Sequence, residues 1–405
     1  MQNQVNEIRE LIERRDSKKA EVAIAKLLRL DMTKEEEFIL YILRVRTRLI
    51  SGRLSEAIQD WQTASELNPV AESEPKFLEL LGDCYLARFE MAAVGFVQKM
   101  DLREAHQIYQ RILTLNPDYE NSGWIYYQQG RISLTEGQSH RAEDLFHKAL
   151  FSPSSLPALT AYCYERLGFI AYYESRQPEQ ALIYLNKAID IYPTSEPRLW
   201  LVQVYLLRSR VLRESNLDAA IESARMAYDL AYSQNKTLSA ESLFTLSELL
   251  SVNNGREIEV VDFIQQFIQV SKAPVGVDVT WSRAYEMLGD SYFAMRQYAE
   301  AITSYQNALQ YNPDHPWEET IYYRIAKAHY QQQQYNEVVD NLQVIIGDSQ
   351  DYRVFNLLAN AYYGLRQFKQ AMYSYQTAIN LAPSGINIET MQMYYQLSQQ
   401  MNPPL

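Results

Sequence analysis

The sequence predicts an all-α protein built as an α-solenoid, a right-handed superhelix of about ten stacked helical hairpins. One motif recurs along nearly the whole chain of 405 residues, and no segment shows the strict alternation of apolar and polar residues that is typical of a strand. The composition agrees with this fold class, because glycine and proline are few, with 13 and 14 residues. Hydrophobic residues make up 47% of the chain, which is enough for a buried core.

The clearest copy of the motif consists of two amphipathic halves, which predict two helices joined by a tight turn. A proline closes the second half, because proline removes a backbone donor and ends the helix there. This copy begins near Ser282 and reads Tyr285-x2-Leu288-Gly289-x2-Tyr292, then Ala301-x3-Tyr305-x2-Ala308, then Pro313.

Ten copies can be counted, and they begin near residues 1, 38, 75, 123, 161, 201, 241, 282, 319 and 352. A small residue lies at the same place in the first half of six of them, where we expect the two helices to cross closely. These residues are Gly82, Gly130, Gly168, Gly289, Ala326 and Ala359. The copies resemble tetratricopeptide repeats, a helix–turn–helix family with a period of roughly 34 residues. Most of the spacings are longer than this period, so longer turns between helices are expected.

The array has one break in composition, from Lys272 to Thr280, with Pro274 and Gly276 in it. One interpretation divides the chain here into an N-terminal array of about seven units, 1–272, and a C-terminal array, 281–405. The C-terminal array would hold three regular units and a cap helix over 388–400, which has glutamines on one face. The other interpretation is a long loop within one continuous superhelix.

Charge and cysteine content restrict the kind of partner and the compartment. The net charge of −12 disfavours nucleic acid, because a phosphate backbone would be repelled. The most apolar stretch, 199–207, is too short to cross a bilayer, and residues 1–15 do not read as a signal peptide. Two cysteines, Cys84 and Cys163, suit reduced core positions. We therefore expect a soluble, cytoplasmic protein without membrane insertion.

No motif for chemistry is evident, so the sequence predicts no catalytic residue, no metal ligand and no cofactor. The glycines are spread singly, the five histidines lack metal-ligand spacing, and neither cysteine has a histidine nearby in sequence. The leading hypothesis is a non-catalytic scaffold or adaptor that binds partner proteins or peptides on its repeats. The alternative is a regulatory sensor whose superhelix changes shape when it binds a peptide or a small effector.

The resemblance implies that first-helix residues of the regular C-terminal units line a peptide-binding groove. These residues are Glu286, Asp290, Phe293, Tyr323, Arg324, Lys327, Tyr330, Arg353, Asn356, Asn360 and Tyr363. Cations, amides and rings of this kind suit an extended segment that bears a carboxylate. Glu286 and Asp290 depart from the chaperone-tail clamp of some relatives, which has a lysine and an asparagine there. The alternative is a solvated face whose charges pair with one another.

A second candidate surface lies in the unit that begins near residue 75, where the second helix starts about eleven residues late. Eleven residues are close to three helical turns, so a longer helix is easily formed. The added segment, 88–100, carries Phe89, Met91, Val94, Phe96 and Met100, which are more apolar than a lone protruding helix should be. We expect contact with a partner or with a second copy of the chain, as in a homo-oligomer. The alternative is that the segment folds back on the next hairpin.

Overall fold

The structure is a computed structural model that describes residues 2–91, 96–253 and 255–401. Within these ranges it contains 21 α-helices, two short 3-10 helices and no strand, which confirms the all-α prediction. The helices form ten consecutive hairpins and one final helix. The chain divides into two compact units, Met1–Pro197 and Arg198–Leu405.

The first unit contains five hairpins, and each one packs against the next. They are α1 (Gln2–Glu13) with α2 (Ser17–Leu27), α3 (Lys34–Ile50) with α4 (Leu54–Leu67), α5 (Pro75–Met91) with α6 (Phe96–Leu115), α7 (Ser122–Thr135) with α8 (Ser139–Leu150), and α9 (Leu159–Tyr173) with α10 (Pro178–Ile191). The residues that delay the second half of the third hairpin lengthen its second helix, since α6 has 20 residues and the second helices of the other hairpins have 9 to 15.

The second unit contains the other five hairpins and the final helix. They are α11 (Leu201–Leu212) with α12 (Leu217–Ala231), α13 (Lys236–Leu250) with α14 (Glu257–Val270), α15 (Val279–Ala294) with α16 (Tyr298–Tyr311), α17 (Glu318–Gln331) with α18 (Tyr335–Gln343), and α19 (Tyr352–Gly364) with α20 (Phe368–Leu381), followed by α21 (Glu389–Met401). The α21 helix covers the last hairpin, where the ring of Tyr394 lies 6.1 Å from that of Tyr375. The predicted division near 272–280 falls on the connection between α14 and α15, and it stays a prediction, as does the right-handed winding.

Close crossing of the two helices shapes each regular hairpin. A methyl group at Gly289 would lie 2.5 Å from Cε1 of Tyr305, and one at Gly130 would lie 2.6 Å from Cε1 of Phe146. Real side chains do not approach this closely, so glycine is what lets the aromatic ring of the second helix fit beneath the first. The Tyr305 ring is buried, and its hydroxyl donates to Oδ1 of Asp290 at 2.7 Å. Packing therefore holds the ring, and the hydrogen bond holds its hydroxyl.

We predict that Gly289→Ala lowers the free energy of unfolding by about 1–3 kcal/mol, because the added methyl must displace the Tyr305 ring in a packed core. Urea denaturation followed by circular dichroism measures the change. Gly347→Ala is the matched control, since a methyl group there meets nothing within 4 Å. Equal effects of the two substitutions would contradict the importance of this crossing.

Candidate functional site

A groove of about 600 Å³ lies in the second unit, along the first helices of two consecutive hairpins. Its lining comes from residues 319–327 of α17, from the turn before that helix, and from residues 350–354 at the start of α19. The lining residues are Pro316, Trp317, Glu319, Thr320, Tyr323, Arg324, Lys327, Gln350, Asp351, Arg353 and Val354. Positions three and four apart on α17 share one face, which is why a row of its side chains reaches the groove.

Trp317 forms the rim of this groove at the N-terminus of α17. Its side chain is 67% exposed, which is unusual for the largest apolar side chain. Its backbone N–H donates to Nδ1 of His315 at 3.0 Å, and Glu318 N–H donates to the His315 carbonyl at 2.9 Å. The turn between α16 and α17 is therefore held by local hydrogen bonds, and the indole stays in solvent.

Two cations of the groove remain accessible to a ligand. The Lys327 ammonium lies 5.2 Å from the centre of the Phe293 ring, and among the described residues no carboxylate lies within 4 Å of it. The Arg353 side chain is 61% exposed and donates to Asp351 at 2.8 Å, and this hydrogen bond raises the pKa of Arg353. Its guanidinium also lies 5.9 Å from the centre of the Tyr323 ring.

Arg324 lines the groove, but its charge is already neutralised. It lies 3.2 Å from Glu286 and 3.1 Å from Asp290, both on α15. Glu286 is only 4% exposed and also accepts from Arg283 at 2.8 Å. Burial raises the pKa of Asp290, although Arg324 and the Tyr305 hydroxyl oppose this shift. Glu286 and Asp290 thus act as structural partners of Arg324 in this structure.

Of the predicted groove residues, the structure brings together Tyr323, Arg324, Lys327 and Arg353 along this groove. The others contact protein, as Tyr330 does with the Tyr335 ring at 5.7 Å. The Tyr363 ring lies 5.1 Å from that of Tyr394 in the final helix, and Asn360 accepts from the Tyr375 hydroxyl at 2.6 Å. The Phe293 ring lies against the Lys327 ammonium, and Asn356 is half-buried.

Sequence reasoning missed Trp317 and Asp351, because only first-helix positions of the motif were transferred. Asp351 precedes α19 and accepts from the Arg353 backbone N–H at 2.9 Å, which is a helix-cap pattern visible in the sequence. Trp317 lies in the turn after a proline, where the family motif says nothing about side chains. The only signal for it is a large apolar residue between Pro316 and two glutamates.

The second candidate surface is only partly described. Phe89 packs against the core of the first unit, whereas Met91 and Met100 are exposed. Val94 and the side chain of Phe96 lie outside the described residues. Near this end of the hairpin, Arg88 donates to the buried Asp101 carboxylate at 2.6 and 2.8 Å, which joins α5 to α6. Phe89 therefore belongs to the fold, whereas Met91 and Met100 present apolar surface to solvent.

The first unit holds a carboxyl group whose proton affinity is changed by folding. Burial, and then the charge of Asp83, raise the pKa of Glu79 from 4.5 to about 7. Hydrogen bonds from the Tyr119 hydroxyl and the Asn121 amide, both at 2.8 Å, oppose this shift without cancelling it. Because the folded state favours the protonated form, the stabilisation is complete below about pH 4.5 and is lost as the pH rises through about 7.

We predict that Glu79→Gln removes part of the pH dependence of stability. Between pH 5 and pH 8 the free energy of unfolding of the natural chain should fall relative to that of the variant by about 2 kcal/mol. Urea denaturation at several pH values measures this difference. The exposed Glu74→Gln serves as the control and should follow the natural chain; a Glu79→Gln variant that does the same would contradict the assignment.

The described ranges hold neither a cluster of metal ligands nor a membrane-spanning helix. No group of three or more histidine, cysteine, aspartate or glutamate side chains there is arranged to hold a metal ion. Among the described helices, none combines the length and apolar character needed to cross a membrane.

Comparison with known proteins agrees with this architecture of helical hairpins. Sequence profiles of the TPR repeat match residues 289–333, and those of the tetratricopeptide repeat match residues 352–384 and 159–195. The hairpins and the crossings between their helices define the class, an α-solenoid of helix–turn–helix repeats. Three segments of the chain, 159–195, 289–333 and 352–384, are therefore tetratricopeptide repeats.

Solved structures resemble the chain over most of its length. The apo form of RapI matches with a TM-score of 0.54 and 11% identity, covering 94% of this chain and 96% of its own. A signal transduction ATPase with a tetratricopeptide repeat sensor from Pyrococcus horikoshii matches with a TM-score of 0.53 and 14% identity, covering 90% of this chain and 55% of its own. At these identities the likeness concerns the fold alone. Among curated proteins, none matches this chain.

Proposed function

We propose that this protein is a non-catalytic interaction scaffold that binds an extended peptide segment of a partner protein in the groove along α17 and α19. The observation that carries the proposal is the combination, in one groove of about 600 Å³, of the exposed Trp317 indole with the Lys327 ammonium, which no carboxylate of the described residues pairs with. Tetratricopeptide repeats stack to form extended surfaces of this kind, which suit chain segments of other proteins.

The spacing of the lining residues indicates the size and chemistry of the ligand. Trp317 and Lys327 are ten positions apart, which corresponds to about 15 Å along a helix. An extended chain covers this distance with four or five residues. A suitable segment therefore has an apolar side chain against Trp317 and, four or five residues away, a carboxylate near Lys327. Arg353 and Tyr323 flank the segment and can contact its carboxylate or its backbone carbonyls.

The double variant Lys327→Glu, Arg353→Glu should lose binding of acidic peptides by about tenfold or more, because each substitution replaces a charge-assisted hydrogen bond by repulsion. The probe is a pool of random heptapeptides, N-acetylated and C-amidated, with one fixed glutamate. A second pool carries glutamine at that position. Retention of each pool on immobilised protein is measured at low salt, where electrostatic attraction is strongest.

The control for this experiment is Lys369→Glu, which makes the same charge change at an exposed position of α20, away from the groove. It should leave the preference for the glutamate pool unchanged. If the double variant retains that pool as well as the natural chain does, the groove is not the binding site. Arg324 is a poor test residue, because its removal leaves the buried Glu286 with one guanidinium fewer.

The same proposal covers the kind of partner and the compartment. We infer protein partners and no nucleic acid, since the net charge is −12. We propose a cytoplasmic location, which the free and buried Cys84 and Cys163 support. The sensor alternative stays a hypothesis: a structural neighbour contains a tetratricopeptide repeat sensor, and the likeness to it is one of fold.

Self-association through the extended third hairpin is a separate proposal. It is supported by the exposure of Met91 and Met100, at 69% and 48%, near the end of α5 and the start of α6. We predict that Met91→Asp with Met100→Asp reduces self-association measured by sedimentation velocity, while the midpoint of thermal unfolding changes little. A large fall in that midpoint would instead show that both side chains support the fold.

A further inference from the structure

We propose that His315 makes ligand binding in the groove sensitive to pH, because it holds Trp317 in place only while its imidazole is neutral. This inference rests on the function proposed for the groove and concerns the regulation of that same site. The experiment that tests it distinguishes a failure of the pH regulation from a failure of peptide binding in the groove.

The contact between His315 and Trp317 defines the protonation state of the ring. Nδ1 of His315 lies 3.0 Å from the backbone nitrogen of Trp317. A backbone N–H can only donate, so Nδ1 must accept and carries no proton. The neutral ring therefore has its proton on Nε2, and the imidazolium, which has a proton on both nitrogens, is incompatible with this hydrogen bond.

Comparable turns elsewhere in the chain use acceptors that do not titrate between pH 5 and 8. The side-chain oxygen of Asn68 accepts from the backbone N–H two residues on at 3.1 Å, that of Asn116 does so at 3.2 Å, and that of Asn387 at 2.9 Å. Asparagine is the usual residue for such a turn. His315 takes this role in the turn that carries the exposed indole of the groove, and imidazole side chains ordinarily change charge between pH 5 and 8.

The charged groups around the ring are already paired with one another. Nε2 lies 4.0 Å from Oε2 of Glu286 on α15, and the side chain of His315 is only 8% exposed. Glu286 also pairs with Arg283 of the same helix and with Arg324 of α17. Asp314, in the same turn, is exposed to solvent. An imidazolium would therefore have to share the Glu286 carboxylate with two guanidinium groups.

Protonation removes one of the two hydrogen bonds that hold the turn at the rim of the groove, the one that positions Trp317. A proton on Nδ1 faces the Trp317 N–H, so two donors oppose each other and the hydrogen bond is lost. Trp317 then leaves its position before α17 and carries the indole away from the groove. A ligand that packs against this indole binds less tightly in acid, by about fivefold, which is the factor that one such hydrogen bond typically contributes.

The test uses the whole protein labelled with 5-fluorotryptophan, in which Trp317→Phe identifies the fluorine resonance of Trp317. We expect this resonance to move with a single midpoint between pH 8 and pH 5.5 in the natural chain. In His315→Asn, which keeps an acceptor in the turn but does not titrate, it should stay in place. A resonance that does not move in the natural chain, or that moves equally in His315→Asn, overturns the proposal.

The same proteins are then tested with the glutamate heptapeptide pool at pH 8 and pH 5.5, where the glutamate side chain stays ionised. Retention should fall about fivefold in the natural chain and stay constant in His315→Asn. Constant retention by the natural chain contradicts the regulation. If the natural chain retains no peptide at pH 8, the proposed function fails, while the fluorine titration still decides the role of His315.

Discussion

Close approach of two helices within each hairpin is the constraint on which the rest of the structure depends. A glycine on the first helix leaves room for a ring on the second, as Gly289 does for Tyr305 and Gly82 for Tyr109. Where the ring is a tyrosine, its hydroxyl needs an acceptor when buried. Asp290 and Asp83, each the residue after the glycine, provide this acceptor at 2.7 and 2.6 Å.

This arrangement connects the packing of a hairpin to the polarity of the surface beside it. Asp290 is held by Tyr305 from one side and by Arg324 of the next hairpin from the other. Arg324 in turn pairs with Glu286, so polar side chains of α15 and α17 join two hairpins. Some charged residues on the face of such helices thus hold neighbouring hairpins together. Only charged side chains without such a partner are available to a ligand.

The sequence was sufficient to predict the hairpins, because the regular ones share a small residue, a large residue that packs against it and, in most, a closing proline at similar spacing. It was less informative about the groove. The position of Arg324 on its helix predicted that it faces the groove, but its partner Glu286 is 38 residues away in the chain, and local patterns do not reveal such a pair. The sequence did not predict that Trp317 lines the groove, because this residue lies in a turn. Side-chain direction in a turn depends on hydrogen bonds such as the one from the Trp317 backbone N–H to His315.

The placement of Trp317 in a connecting turn separates the proposed site of recognition from the helix crossings that form the fold. The turn from Asn312 to Trp317 contributes no glycine or ring to the crossings that fold α15, α16 and α17. The exposed residues of this turn, such as Asp314 and Trp317, can be exchanged with little effect on the hairpins beside it. If the groove binds peptides as proposed, ligand preference can diverge between related proteins by changes confined to a few turn residues, and the same segment is where a new specificity would be grafted.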